Sequence, residues 1–152
     1  MELSKFSLKW MALVFAFLLA ACSSTPVGHS FVPESGAMLG GGDWVAVAMQ
    51  GVSKVQEPAP RWRWTSVDQV SGTGGCNAFT GRATLKDGQI QIGPLAATGR
   101  LCVALPPGGQ EDLFFRALEK ARSVRVDAGE LVLQGSTGEE LARFVQLGTV
   151  SP

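Results

Sequence analysis

The chain of 152 residues has no tyrosine, a single histidine, three cysteines and no net charge, with 13 Lys+Arg against 13 Asp+Glu. Each scarcity removes a class of function. Without a basic excess there is no electrostatic footprint for a phosphate backbone, and without an acidic excess none for a basic partner, so nucleic acid is not an expected ligand. One imidazole, His29, rules out histidine-rich metal sites and makes Ser/His/Asp or Cys/His catalysis depend on where that residue falls. Three cysteines cannot all pair with one another, so one of them needs a separate role. The length fits one domain.

Lys5 and Lys9 precede an uncharged stretch of twelve, Trp10 to Ala21 (WMALVFAFLLAA). A helix needs about 20 residues to cross a bilayer core, so this stretch reads as the apolar region of a signal peptide. It ends in Leu19-Ala20-Ala21-Cys22, which resembles the bacterial lipobox of Leu, small, small, Cys. The resemblance implies cleavage before Cys22, lipidation of its thiol and new amino group, and a signal peptide over 1–21. Acyl chains contribute about 0.8 kcal/mol per buried methylene, enough to hold a protein in a membrane without further contact. Ser23, not Asp, follows the cysteine. By resemblance to lipoprotein sorting, the expected location is the outer membrane, lipid-anchored at Cys22 and facing the periplasm. Processing would remove Glu2, Lys5 and Lys9, leaving 11 basic against 12 acidic groups. Residues 22–42 are then a lipidated cysteine and a tether whose Ser, Gly and Pro content is that of a flexible linker. His29 lies within it, with no fixed geometry for catalysis.

From Asp43 to Leu147 the apolar pattern has mostly period two. Val45, Val47 and Met49 share one face, Trp62 and Trp64 alternate with Arg61 and Arg63, and Ala83/Leu85 are set against Ile90/Ile92 across an Asp87-Gly88 hairpin turn. One segment changes period. Phe114, Ala117, Leu118 and Ala121 stand at i, i+3, i+4 and i+7, predicting an amphipathic helix over about 110–123, with Glu111 and Asp112 in the first turn and Lys120 and Arg122 in the last. The expected fold is α+β, mainly β: a curved antiparallel sheet of about seven to eight strands, forming a small half-open barrel covered by the helix. Residues 43–147 form the domain and 148–152 a disordered tail.

Val70 to Gly81 (VSGTGGCNAFTG) resembles the central signature of the META domain family, which includes the HslJ-like heat-inducible outer-membrane lipoproteins. The matching positions are Gly72, Gly75, Cys76, Asn77, Phe79 and Gly81. The resemblance continues in Thr98-Gly99-Arg100-Leu101-Cys102, similar to the family's Thr-x-Met-x-Cys with Arg100 at the methionine position. Glu111, Phe114/Phe115 and Leu118 fall where the family's helix does, and Trp44 opens the first strand as the family's tryptophan does. Gly72, Gly74, Gly75 and Gly81 suit positive φ and sharp bends, Asn77 suits turn-stabilising bonds to neighbouring backbone, and Phe79 suits a core plug. In an oxidising compartment Cys76 and Cys102 are expected to form a disulfide. A redox pair is the alternative, lacking Cys-x-x-Cys spacing. The glycine run could cradle phosphate, but a strand follows where that use needs a helix.

The carboxylates Asp43, Asp68, Asp87 and Asp127 are scattered and no calcium loop is present. The expectation is a non-enzymatic monomer with no catalytic residue, no metal and no cofactor. The family resemblance implies a contribution to envelope integrity under heat or novobiocin stress. Trp44, Trp62, Trp64, Phe114 and Leu118 either fill the core or line a site for a hydrophobic ligand or partner segment between sheet and helix. The alternative is an envelope inhibitor of a periplasmic hydrolase such as lysozyme, which would present rigid exposed loops.

Overall fold

The computed structural model describes Leu39, residues 41–102 and residues 109–148. The signal peptide, Cys22, His29, most of the tether and residues 149–152 lie outside the described residues. Eight strands follow in order, β1 (Trp44–Met49), β2 (Arg61–Ser66), β3 (Gln69–Thr73), β4 (Ala78–Lys86), β5 (Gln89–Ala97), β6 (Ser123–Asp127), β7 (Glu130–Gln134) and β8 (Glu140–Gln146). The helix α1 (Gln110–Lys120) enters between β5 and β6. Each strand pairs antiparallel with its sequence neighbour, and β8 returns to β1, so the sheet closes into a ring. The ring is uneven. At β5–β6 the only register pair is Gln89↔Ser123, and β1–β2 is held at Trp44↔Trp62 and Val45↔Arg61.

The alternation on the aromatic strand is as expected: Trp62 and Trp64 are buried and Arg61 and Arg63 exposed. Trp62 is fully enclosed; an indole of its size removes roughly 200 Å² from water, which at about 25 cal/mol/Å² is an upper estimate near 5 kcal/mol. Ala83 pairs with Ile92 and Leu85 with Ile90. The Asp87-Gly88 turn takes φ of 51° and 74°, the primed geometry that matches strand twist.

Three expectations change. Val45, Val47 and Met49 do not share the inner face: Trp44, Ala46 and Met49 are buried and Val47 is exposed, because a bulge between Ala46 and Ala48 shifts the phase by one residue. The helix stops at Lys120 instead of running to 123. Ala121 turns extended at ψ 136°, the Arg122 N–H donates to the Gln134 carbonyl, and the Arg122 guanidinium caps the carbonyls of Glu119 and Ala121. The core also reaches further back than the Asp43 boundary. Leu39 is buried, and its carbonyl accepts the Trp44 indole N–H at 3.0 Å.

Phe114, Ala117, Leu118 and Ala121 all face the core. Strand β7 is buried on both sides: Leu131, Val132 and Leu133 are all buried, with Val132 paired between Arg125 and Arg143 of the neighbouring strands. Arg143 in turn bonds Glu130 at 2.9 Å and Glu140 at 2.7 Å. Among the described residues no helix is long and apolar enough to cross a membrane.

Candidate functional site

The Gly-Cys-Asn segment, the residues 98–102 and the start of the helix converge at one end of the ring. The β3–β4 turn spans Gly74 to Asn77, with Gly75 at φ 115° and the Gly74 N–H donating to the Asn77 carbonyl at 2.9 Å. Glu111, in the first helical turn, reaches into this turn. Its Oε2 accepts the backbone N–H groups of Cys76 at 3.0 Å and Asn77 at 2.7 Å, and its Oε1 accepts the Asn77 side-chain amide at 2.7 Å. A buried carboxylate left without partners would cost several kcal/mol, and here three N–H groups and the positive end of the helix dipole compensate it.

Asn77 is buried and uses both ends of its amide. Its Oδ1 accepts the Thr98 hydroxyl at 2.8 Å and the Arg100 N–H at 2.8 Å, while Nδ2 approaches the Arg100 carbonyl at 3.4 Å. The disulfide Cys76–Cys102 closes the same cluster, with Cα atoms 6.1 Å apart. Beside it, the Gln110 amide clasps the Gln56 backbone, accepting its N–H at 2.7 Å and donating to its carbonyl at 2.9 Å. Loops distant in sequence are thereby fastened to one helix terminus.

Cys76, Asn77, Thr98 and Cys102 thus meet around Glu111, while Gly72, Phe79 and Gly81 sit in the adjoining strands, and the roles differ from those expected. Of the four glycines only Gly75 has positive φ. A Cβ on Gly72 would run into the Arg61 carbonyl and lie 2.8 Å from the Trp62 Cα, one on Gly74 would strike the Glu111 side chain, and one on Gly81 would sit 2.6 Å from Leu95. Close approach, not bending, requires glycine at 72 and 74, whereas at 81 the neighbour is only the tip of the Leu95 side chain. The Asn77 side chain bonds residues 21 to 34 positions away, leaving the neighbouring backbone to its carbonyl, which accepts from Gly74. Phe79 is the plug, edge-on to Phe114 and Phe115 at 5.8 and 5.4 Å.

In the sequence Glu111 stands out as a first-turn acidic residue at the family's helix position, and Gln110 only as the residue that opens the helix. The available signal was two polar residues opening a helix whose next apolar position, Phe114, is core. Trp44, Trp62, Trp64, Phe114 and Leu118 all belong to one buried cluster, with Trp62 packed against Trp64 and Phe144. Among the described residues the indole N–H groups of Trp62 and Trp64 meet no acceptor.

Two surface depressions are lined by other residues. One of about 330 Å³ follows the thin β1–β2 seam between Val45, Pro58, Arg61, Thr73 and Leu147, and one of about 220 Å³ adjoins the β1 bulge at Met49 and Ala142. Among the described residues no group of three or more His, Cys, Asp or Glu is placed to hold a metal ion. Leu101, by contrast, is 98% exposed, and the Arg100 guanidinium beside it has no ion-pair partner among the described residues.

Solved structures share this architecture. An NMR structure of a protein from Burkholderia xenovorans aligns with a TM-score of 0.57 at 23% identity, covering 82% of this chain and 97% of that one. A second NMR structure aligns with a TM-score of 0.56 at 20% identity, covering 74% and 96%. At these identities the likeness is one of fold. No curated protein matches the chain. The META domain profile matches residues 37–147, a span that takes in Leu39, the glycine-rich turn, both bonded cysteines and the helix that clamps them, and the chain belongs to the META domain family.

Proposed function

We propose that this protein is a non-enzymatic outer-membrane lipoprotein, anchored through acyl chains at Cys22 and facing the periplasm, which supports envelope integrity under heat or antibiotic stress by binding a hydrophobic ligand or a partner segment. One observation carries the binding role. The functional groups of the motif are consumed in holding loops together: every side-chain oxygen of Glu111 and Asn77 already accepts a hydrogen bond. A site of that kind fixes a surface and leaves no group poised to transfer a proton.

The test uses the full acylated chain extracted from membranes. Palmitate labelling that is lost in Cys22→Ala, together with co-migration with outer-membrane markers, is the expected result; unlabelled protein would sink the anchor. Native mass spectrometry then reads the ligand, and a bound lipid of defined mass supports the hydrophobic-ligand form.

The second reading is an inhibitor of an envelope hydrolase such as lysozyme. It is favoured by the pinned residues 98–102, which hold an exposed Leu101 on a rigid base. Inhibition of lysozyme at stoichiometric protein would support it, and unchanged lysis at tenfold excess would remove it.

A further inference from the structure

Three buried indoles stand together on β1 and β2, and the chain satisfies only one of them. Trp44 and Trp62 are direct partners across the two strands, and Trp64 follows Trp62 on the same inner face. The Trp44 N–H donates to the Leu39 carbonyl at 3.0 Å. Those of Trp62 and Trp64 are enclosed and meet no acceptor among the described residues. The other buried polar side chains there, Asn77, Gln110 and Glu111, are all hydrogen-bonded. Two orphaned donors are therefore the exception in an interior that otherwise meets its polar demands. The Phe144 ring, edge-on to Trp62 at 6.0 Å, is at most a weak π acceptor.

We propose that Trp62 and Trp64 form a binding site for the carbonyl oxygen of a neutral acyl compound, an ester carrying a hydrocarbon chain. This deepens, and rests on, the hydrophobic-ligand reading above, and it places the polar end of that ligand on the inner face of β2. The chemistry of the site selects the class. Both free groups donate and neither accepts, so the ligand has to bring an acceptor, and a hydroxyl or amide would bury its own donor unpaired. The surroundings are apolar, with Val70, Phe114 and Phe144 in the same buried cluster. Among the described residues no Lys or Arg is buried, so an ionised carboxylate would enter without a countercharge. A carbonyl already plays this part next door, where Leu39 supplies it to Trp44.

Trp62 also lies at a weak point of the wall. The β1–β2 ladder consists of Trp44↔Trp62 and Val45↔Arg61, after which the Ala46 N–H reaches the Pro60 carbonyl at 2.8 Å. The ladders on either side, β1–β8 and β2–β3, are longer. A depression of about 330 Å³ follows the outside of the short seam between Val45, Pro58, Arg61 and Leu147. A seam with few ladder bonds opens at lower cost than its neighbours, which gives a chain-shaped molecule a route to the indoles.

The experiment records the indole N–H signals of the full chain by NMR, with isotope-labelled tryptophan and the protein extracted from membranes in detergent. The probes are methyl dodecanoate, dodecane and ionised dodecanoate. The ester is expected to move the Trp62 and Trp64 protons downfield, as a new hydrogen bond does, and to leave that of Trp44 in place. It should bind about tenfold tighter than either other probe, the worth of one net hydrogen bond. Its advantage over dodecane should vanish in the double variant Trp62→Phe/Trp64→Phe, whose unshifted Trp44 signal reports an intact fold. If that variant does not fold, the shifts in the unaltered chain decide. Indole protons unmoved by the ester, moved equally by dodecane, or in contact with a water that saturating ester does not displace, overturn the site. Native mass spectrometry of the same samples separates the two readings: bound ester with unmoved indoles removes the site alone, whereas retention of no apolar probe removes the hydrophobic-ligand reading with it.

Discussion

Glu111 and Asn77 hold each other twice: the carboxylate accepts the Asn77 backbone N–H at 2.7 Å through one oxygen and its side-chain amide at 2.7 Å through the other. The pair joins the glycine-rich turn to the helix across 34 positions of sequence. Asn77→Ala would strand the Thr98 hydroxyl, the Arg100 N–H and Glu111 Oε1 together, and Glu111→Gln would turn an amide NH2 donor toward an N–H. Each is expected to cost about 2–3 kcal/mol, lowering the melting temperature by about 10 °C. Because they share one network, the double variant should fall short of the sum by about 1–2 kcal/mol in a thermal-melt cycle. Strict additivity would show that the two act separately.

The Cys76–Cys102 bond closes a loop with a sequence separation of 26. Chain entropy gives it about 3–4 kcal/mol of stabilisation, so reduction and alkylation should lower the melting temperature while Cys22→Ala leaves it unchanged. Intact mass should rise by two protons on reduction. Ready alkylation of both thiols in the native oxidised protein would contradict the bond.

Gly72 tests close packing without any change of charge. A methyl group there meets the Arg61 carbonyl across the β2–β3 pair, where neither strand can give way. Gly72→Ala is expected to cost about 3 kcal/mol or more, or to abolish folding. Gly99→Ala, with open space around the added carbon, should stay within about 0.5 kcal/mol. Equal effects in denaturant titrations would refute the steric argument.

Acid should act through Asp127 at the end of β6 and Glu139 in the β7–β8 turn. A hydrogen bond and the charge of Arg125 hold the Asp127 carboxyl below its ordinary value, and the Thr137 hydroxyl does the same for Glu139. A depressed folded value means stabilisation that is present above the ordinary carboxylate range and lost as pH falls through the folded value. Arg143 is held above its ordinary value by its bonds to Glu140 and Glu130 and stays protonated throughout. These groups therefore contribute no slope between pH 5 and 9, and stability should decline below about pH 4. Asp127→Asn should flatten part of that decline in melts taken from pH 2 to 5, and an unchanged slope would exclude Asp127 as a contributor.

Much of the fold was legible because its signals are local. Period two at Trp62/Trp64 and at Ala83/Leu85, the Asp87-Gly88 turn and the 3.6-residue spacing from Phe114 to Ala121 each depend on a few neighbouring residues. The phase slip in β1 was not legible, since a bulge arises from how β8 pairs with β1 and leaves no mark in the six residues themselves. Leu39 was missed for a similar reason: one apolar residue in a Ser/Gly/Pro-rich stretch has no periodicity, and only the barrel end provides its socket.

The sequence by itself determined the element types, the helix face and the family motif, because backbone geometry repeats over two or 3.6 residues. Tertiary structure alone decided what the motif is for. It brought Glu111 to a turn 34 residues away, made Gly72 and Gly74 necessary through the atoms that crowd them, and left Arg100 and Leu101 pinned at the backbone yet exposed at the side chain. Those relations depend on which distant surfaces meet, and no local pattern encodes that.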